Sequence, residues 1–223
     1  MQLSSRTVDL LKNFASINSN IVIEPGNSIR TVSVAKNVVA KAEIEETFPN
    51  KIGIYDLSEF LSVVNLVDNP SLTYSDHAIN VADGCGLSSV KYHTSDPEML
   101  TAPTKEIIMP ECEVKFILNT DTLSRVKRAA QALGHSEISI RPADNAVEIA
   151  VVDSKDSTSN SFSVTVEGTY DQPFEFILNV ANLKVISENY EVGISKKFIS
   201  QFKSIDSELE YFIALEKTST YGE

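Results

Sequence analysis

The sequence predicts an α+β protein, two similar domains of antiparallel sheet with two helices each. Three observations lead there. A helix start recurs four times: Asn119 ends the run Phe116-Ile-Leu-Asn119 and opens a helix-periodic segment closed by Gly134, and Phe176-Ile-Leu-Asn179 repeats the four letters, with Leu183 in the place of Leu123. Gly53-Ile-Tyr-Asp56 with Phe60, and Ser4 with Val8, are looser copies. Each cap is Ser, Asp or Asn, whose side chain accepts from the free amides of a first helical turn. The starts lie 52, 63 and 60 residues apart, which reads as a unit duplicated twice. Strand-like runs outnumber helices, and hairpin-length turns join them, so the sheets are antiparallel.

In chain order, residues 5–17 form a helix with Val8, Leu11, Phe14 and Ala15 as its apolar stripe and Arg6, Lys12 and Asn13 away from it. Strands follow at 21–23, 28–34, 38–44 and 48–55, the last despite Pro49. A second helix over 57–67 buries Phe60, Leu61, Val64 and Val67 and turns Ser58, Ser62 and Asn65 outward. Strands at 71–75, 78–82 and 87–93 complete the first half. Residues 95–112 hold Pro97, Pro103 and Pro110, lack periodicity and read as an extended connector. The expected division is a first domain at 1–97, a connector at 98–112 and a second domain at 113–223.

The third helix, 120–134, buries Leu123, Val126, Ala130 and Leu133, with Arg125 and Arg128 opposite and Lys127 on the flank. Asp121 sits near its start, where a carboxylate suits the helix dipole. Strands are expected at 137–141, 146–152, 161–167 and 174–178. A fourth, short helix over 180–187 carries Lys184, and strands at 190–194, 197–204 and 209–215 precede a polar tail.

Composition is ordinary for a chain that buries a core, with 42% apolar and 22% charged residues. No run of 18 apolar residues exists, so no membrane span is expected. The first six residues lack a signal-peptide layout, which points to the cytosol. Nothing marks catalysis: there is no Gly-rich phosphate loop, no Gly-x-Ser-x-Gly elbow and no Cys-x-x-Cys. His77, His93 and His135 are scattered, without a metal-ligand neighbour, and no metal or cofactor is expected. Asp83-Gly-Cys-Gly86 reads as a hairpin turn, and Asp153, Asp156 and Glu167 as the polar surface of an acidic protein. Cys85 and Cys112 are two lone thiols.

Net charge is −12, yet the outward helix faces carry Arg6, Lys12, Arg125, Lys127, Arg128 and Lys184. Two readings stand at this point: a solvated helix face, or a surface turned to a polyanion whose phosphates meet scattered cations.

The chain resembles the sliding clamps of T4-like bacteriophages, the DNA polymerase processivity factors. The resemblance runs through Leu10-Leu-Lys-Asn-Phe-Ala-Ser-Ile-Asn-Ser19, Ile54-Tyr-Asp-Leu57 with Phe60-Leu61, Asn179-Val-Ala-Asn182 with Lys184, and Tyr211-Phe-Ile-Ala-Leu-Glu216. It implies the DNA clamp fold, a head-to-tail homotrimeric ring around double-stranded DNA bound without sequence preference, an ATP-driven clamp loader, a polymerase tethered by a peptide, and a part in phage late transcription with its factors. The place of action would be the cytoplasm of the infected bacterial host. Carried over by position, the bore residues are Arg6, Lys12, Arg125, Lys127, Arg128 and Lys184. The subunit interface falls on Leu87, Val90 and Tyr92 in one edge strand and on Phe162, Val164 and Val166 in another. The partner-peptide pocket falls on Ile107, Ile108 and Met109 with Phe212 or Leu215. The competing reading is an acidic α+β structural or adaptor protein with solvated helix cations. A clamp predicts a solution mass near three chains.

Overall fold

The computed structural model describes residues 1–156 and 158–222. It has two compact units, Met1–Glu106 and the residues from Ile107 onward.

The first unit opens with helix α1 (Ser5–Ile17), capped by Ser4 through its Oγ, which accepts from the Thr7 amide at 3.1 Å. Strand β1 (Ile21–Ile23) pairs antiparallel with β4 (Ile52–Ile54), and β2 (Gly26–Val32) with β3 (Val38–Phe48). Helix α2 (Leu57–Val64) starts at Asp56, whose side chain accepts from the Glu59 amide at 3.0 Å. Strands β5 (Ser71–Ser75), β6 (Ala78–Ala82) and β7 (Ser89–His93) make an antiparallel sheet in that order. The two helices pack together, burying Leu10, Leu11, Phe14 and Ile17 of α1 and Leu57, Phe60, Leu61 and Val64 of α2.

The second unit begins with β8 (Val114–Leu118) and helix α3 (Thr120–Leu133). Asn119 caps α3 by accepting from the Thr122 amide at 2.8 Å. Gly134 closes it with φ +70°, the left-handed geometry that glycine adopts without a Cβ penalty. Then come β9 (Glu137–Ala143), β10 (Ala146–Val152), β11 (Phe162–Val166), β12 (Gly168–Thr169), β13 (Phe174–Asn179), β14 (Tyr190–Ser195), β15 (Ile199–Ser204), β16 (Leu209–Ala214) and β17 (Thr220–Tyr221). One antiparallel sheet runs β11-β10-β9-β13-β17; in the other, β12-β8-β14-β15-β16 are neighbours in that order. Helix α3 lies on β10 and β11.

The α+β class and the antiparallel sheets stand, but the fourth helix does not form. A single 3-10 turn at Val180–Asn182 takes its place. Leu183 and Val185 are both buried, an alternation of two that suits extended chain rather than a helix. Side chains also satisfy this backbone from outside. The Lys127 ammonium donates to the Val185 carbonyl at 2.7 Å, the Tyr190 hydroxyl to the Ile186 carbonyl at 2.8 Å, and the Ile186 amide to the Tyr211 hydroxyl at 3.3 Å. With those partners in place, intrahelical bonds are not needed. The second unit therefore has one α-helix among the described residues, and Lys184 sits on irregular chain.

Smaller corrections follow local chemistry. Helix α2 stops at Val64, short of Val67: the Asn65 amide bonds the Leu61 carbonyl, the Leu66 amide turns back to the Val63 carbonyl at 3.1 Å, a tighter turn that ends the helix, and Asn69 takes φ +49° before Pro70. The strand expected over 48–55 divides: β3 ends at Phe48, Pro49 lies in the connection, and β4 begins at Ile52. Leu87 falls outside β7, in the turn before it.

At Gly168 the chain passes from one sheet to the other. A Cβ there would lie 2.7 Å from Val147 Cγ2, 2.9 Å from the Lys115 carbonyl oxygen and 3.0 Å from Phe116 Cβ. Two of these atoms belong to the backbone or its first carbon and cannot swing away. Gly168→Ala should lower stability by about 1–3 kcal/mol, read as a lower urea midpoint at unchanged slope.

Candidate functional site

The anchoring of α1 decides where Arg6 and Lys12 stand. A capping box would place a Glu three residues after the cap, to accept the amide of the cap residue itself. Here Thr7 occupies that position, and Glu46 reaches across from β3 instead. Its carboxylate accepts from the Ser4 amide and, at 2.6 Å, from the Thr7 hydroxyl. Burial pushes the Glu46 carboxyl up, but the bonds from Thr7 and Ser4 outweigh it and hold the group below the usual carboxylate range. So anchored, α1 leaves Arg6 half-buried and Lys12 exposed, Lys12 lying 3.3 Å from Asp9. Exposed residues of α2 include Ser58, Glu59 and Ser62, which add no cation.

Helix α3 uses its three cations differently. Arg128 is exposed, and its Nε donates to the Ser124 carbonyl of its own helix at 3.3 Å. Lys127 is half-buried; burial lowers its pKa, and its ammonium is engaged on Val185. That bond also sets α3 beside the segment carrying Lys184, which is exposed. Arg125 is exposed, with Cζ 5.8 Å from the centroid of the Phe162 ring on β11, a cation–π distance. The periodicity of the sequence put all three on or near one face but carried no sign of the contacts with Val185 and Phe162.

The strands β7 and β11 each end a sheet, with a neighbour on one side only among the described residues. Both alternate half-buried and exposed residues: Val90 and Tyr92 in β7, and Phe162, Val164 and Val166 in β11, are the half-buried members. Each edge strand stands against a helix. Tyr92 packs edge-to-face on Phe60 of α2 at 5.2 Å, and its hydroxyl donates to the Asp56 carbonyl at 3.3 Å.

The turn before β7 is tied by one carboxylate. Asp83 accepts from the amides of Cys85, Leu87 and Ser88 and from the Ser88 hydroxyl, at 2.7–3.0 Å. Those four bonds hold its carboxyl below the usual range. Leu87 projects from this turn, 90% exposed.

The expected pocket residues are of two kinds. Phe212 and Leu215 are buried, whereas Ile108 is 88% exposed between half-buried Ile107 and Met109. Phe198, which the sequence did not single out, lies beside the end of β16: its carbonyl accepts from the Leu215 amide at 2.9 Å, and its ring meets Phe176 edge-on at 6.4 Å. It has φ +60° in the β14–β15 turn and is 37% exposed. No group of three or more His, Cys, Asp or Glu among the described residues is placed to hold a metal.

Comparison with known proteins bears on this arrangement. Residues 4–85 match the family described as DNA polymerase processivity factor, and residues 115–217 match gp45 sliding clamp, C terminal. The chain is 34% identical over 222 residues to the sliding clamp of Vibrio phage KVP40, covering 97% of this chain and 99% of that one. It is 32% identical to the sliding clamps of Escherichia phage RB69 and Enterobacteria phage T4, over 99% of each chain. In fold, it superposes on the proliferating cellular nuclear antigen of Entamoeba histolytica with TM-score 0.68, 14% identity and 94% coverage of both chains. A structure described as the C-terminal region of FEN-1 bound to A. fulgidus PCNA gives TM-score 0.72, 15% identity and 98% coverage of both.

The Glu46 anchor is testable through its titration. A carboxyl held low in the folded state adds stability above its unfolded value, near about 4.3, that is lost as pH falls through the folded value. Glu46→Gln should be less stable than the parent at pH 7, and the gap should close in urea melts taken down to pH 3. A gap of constant size would show that the ionised carboxylate does not hold α1.

Proposed function

The chain belongs to the sliding-clamp family of T4-like phages, and from that premise we propose how its parts serve DNA. As a sliding clamp it is a DNA polymerase processivity factor, not an enzyme: it keeps the polymerase on its template by tethering. The proposal concerns the assembly and the contacts.

Three chains close head to tail, the β7 edge of one subunit pairing with the β11 edge of the next. The observation that carries this is the pair of open edges, each with a row of half-buried apolar side chains. An unpaired edge exposes amides and carbonyls that another strand can satisfy, and joining two different edges head to tail gives a ring when the rotation closes. Leu87, Val90, Tyr92, Phe162, Val164 and Val166 flank that junction. The clamp domains are 1–97 and 113–223, linked by 98–112.

Duplex DNA passes through the ring against the outward helix faces. Arg6, Lys12, Arg125, Arg128 and Lys184 meet phosphates without reading bases, which gives weak, salt-sensitive contacts that permit sliding. Lys127 drops out of that set, because its ammonium is engaged on Val185. The net charge of −12 repels DNA elsewhere, so the few cations localise it. The polymerase peptide docks at Ile107, Ile108 and Met109, with Phe198 as the exposed aromatic beside Leu215. An ATP-driven loader opens the ring in the cytoplasm of the infected host, and late-transcription factors share the docking surface.

Sedimentation should give a mass near three chains that falls on dilution; a monomer at high concentration would end the trimer reading. Arg128→Glu with Lys184→Glu should keep that mass, abolish most stimulation of polymerase and reduce the salt dependence of DNA retention. Lys127→Met should lower the urea midpoint more than it weakens DNA retention, because its ammonium holds the Val185 carbonyl and does not reach phosphate.

A further inference from the structure

We propose that Arg125 is a positioning residue for ring closure, holding the edge strand β11 in the shape that a neighbouring subunit's strand joins; this rests on the trimer reading above. The guanidinium lies over the Phe162 ring, Cζ to centroid 5.8 Å. Phe162 is the first residue of β11, where the chain enters the strand after Ser161. On one side β11 is fixed by its ladder to β10, from Val147 opposite Val166 to Val151 opposite Phe162. On the other side there is no strand among the described residues, so the end at Phe162 is held by its pairing with Val151, by the His135 ring 2.6 Å from the Asn160 carbonyl oxygen, and by the contact from the helix.

The first unit supports this reading independently. There the edge strand β7 is clasped by α2 through Tyr92, whose ring meets Phe60 at 5.2 Å and whose hydroxyl bonds the Asp56 carbonyl. Both open edges are thus held by a helix through one aromatic side chain. In the second unit the helix supplies a cation instead of a ring. A guanidinium stacks on an aromatic face while its N–H edges stay solvated, so Arg125 grips Phe162 without a buried charge. Arg128, one turn on, bonds its own helix at the Ser124 carbonyl. In the proposed ring Arg125 therefore serves twice, its guanidinium face on the strand and its N–H edges toward phosphate, whereas Arg128 serves phosphate alone.

The test uses the full chain without DNA and measures subunit dissociation by dilution of fluorescently labelled protein. Arg125→Met keeps length and loses charge; Arg125→Lys keeps a cation; Phe162→Leu keeps an apolar side chain and loses the ring. Arg125→Met should raise the dissociation constant by about two- to fivefold, as befits an exposed cation–π contact. Arg125→Lys should recover most of it, and Arg128→Met should not change it. In a Phe162→Leu background, Arg125→Met should add nothing. A trimeric parent whose Arg125→Met variant dissociates equally, or whose two effects simply add, overturns the inference and leaves the trimer standing. A parent that is monomeric at every concentration removes the trimer and the inference together.

Discussion

The constraint on which this structure turns is the hydrogen-bonding demand of two open strand edges. Every amide and carbonyl on the free side of β7 and β11 must find water or another chain. An acidic surface and short strands keep such edges from pairing at random. What remains is two edges of similar length with alternating half-buried and exposed residues. Helix α2 stands against β7 and α3 against β11, so in the second unit the helix that presents cations also backs the open edge.

That framework is held by few, local contacts. Glu46 ties the first turn of α1 to β3, so the position of Arg6 and Lys12 depends on a carboxylate in a different element. Tyr92 ties β7 to α2, and Lys127 ties α3 to the extended segment after β13. Glu46 and Lys127 are groups that sequence alone would assign to the surface, and Tyr92 one it assigns to a subunit interface.

Legibility in the sequence follows the range of the interaction. The caps at Ser4, Asp56 and Asn119 and the left-handed Gly134 were readable because their bonds span three or four residues. The apolar stripes were readable in part: Leu11 and Phe14 of α1, Phe60, Leu61 and Val64 of α2, and Leu123, Val126 and Ala130 of α3 are buried, whereas Val8, Ala15 and Leu133 are half-buried, Leu10 and Ile17 take buried places on α1, and Val67 lies past the end of α2. The fourth helix was misread because its start signal is genuine: Asn179 does accept from the Ala181 amide at 3.0 Å. Its continuation was decided elsewhere, by Lys127, Tyr190 and Tyr211. At the candidate site, periodicity placed the cations on their faces. It could not show that Lys127 is engaged on a carbonyl or that Arg125 lies over Phe162, since both contacts join distant segments. Leu87 is a milder case, where apolar character suggested a strand and the Asp83 carboxylate made a turn.

That turn has a kinetic meaning. Four bonds to a single carboxylate fix the tip ahead of β7 before any partner arrives, with Leu87 held out in water. A rigid tip surrenders little conformational freedom on contact, so less of the association free energy goes into ordering it. If β7 joins a neighbouring subunit as proposed, each encounter then starts from the same shape. Such a surface gains its speed in the free state, through the residue at the base of the turn and not through those at the point of contact.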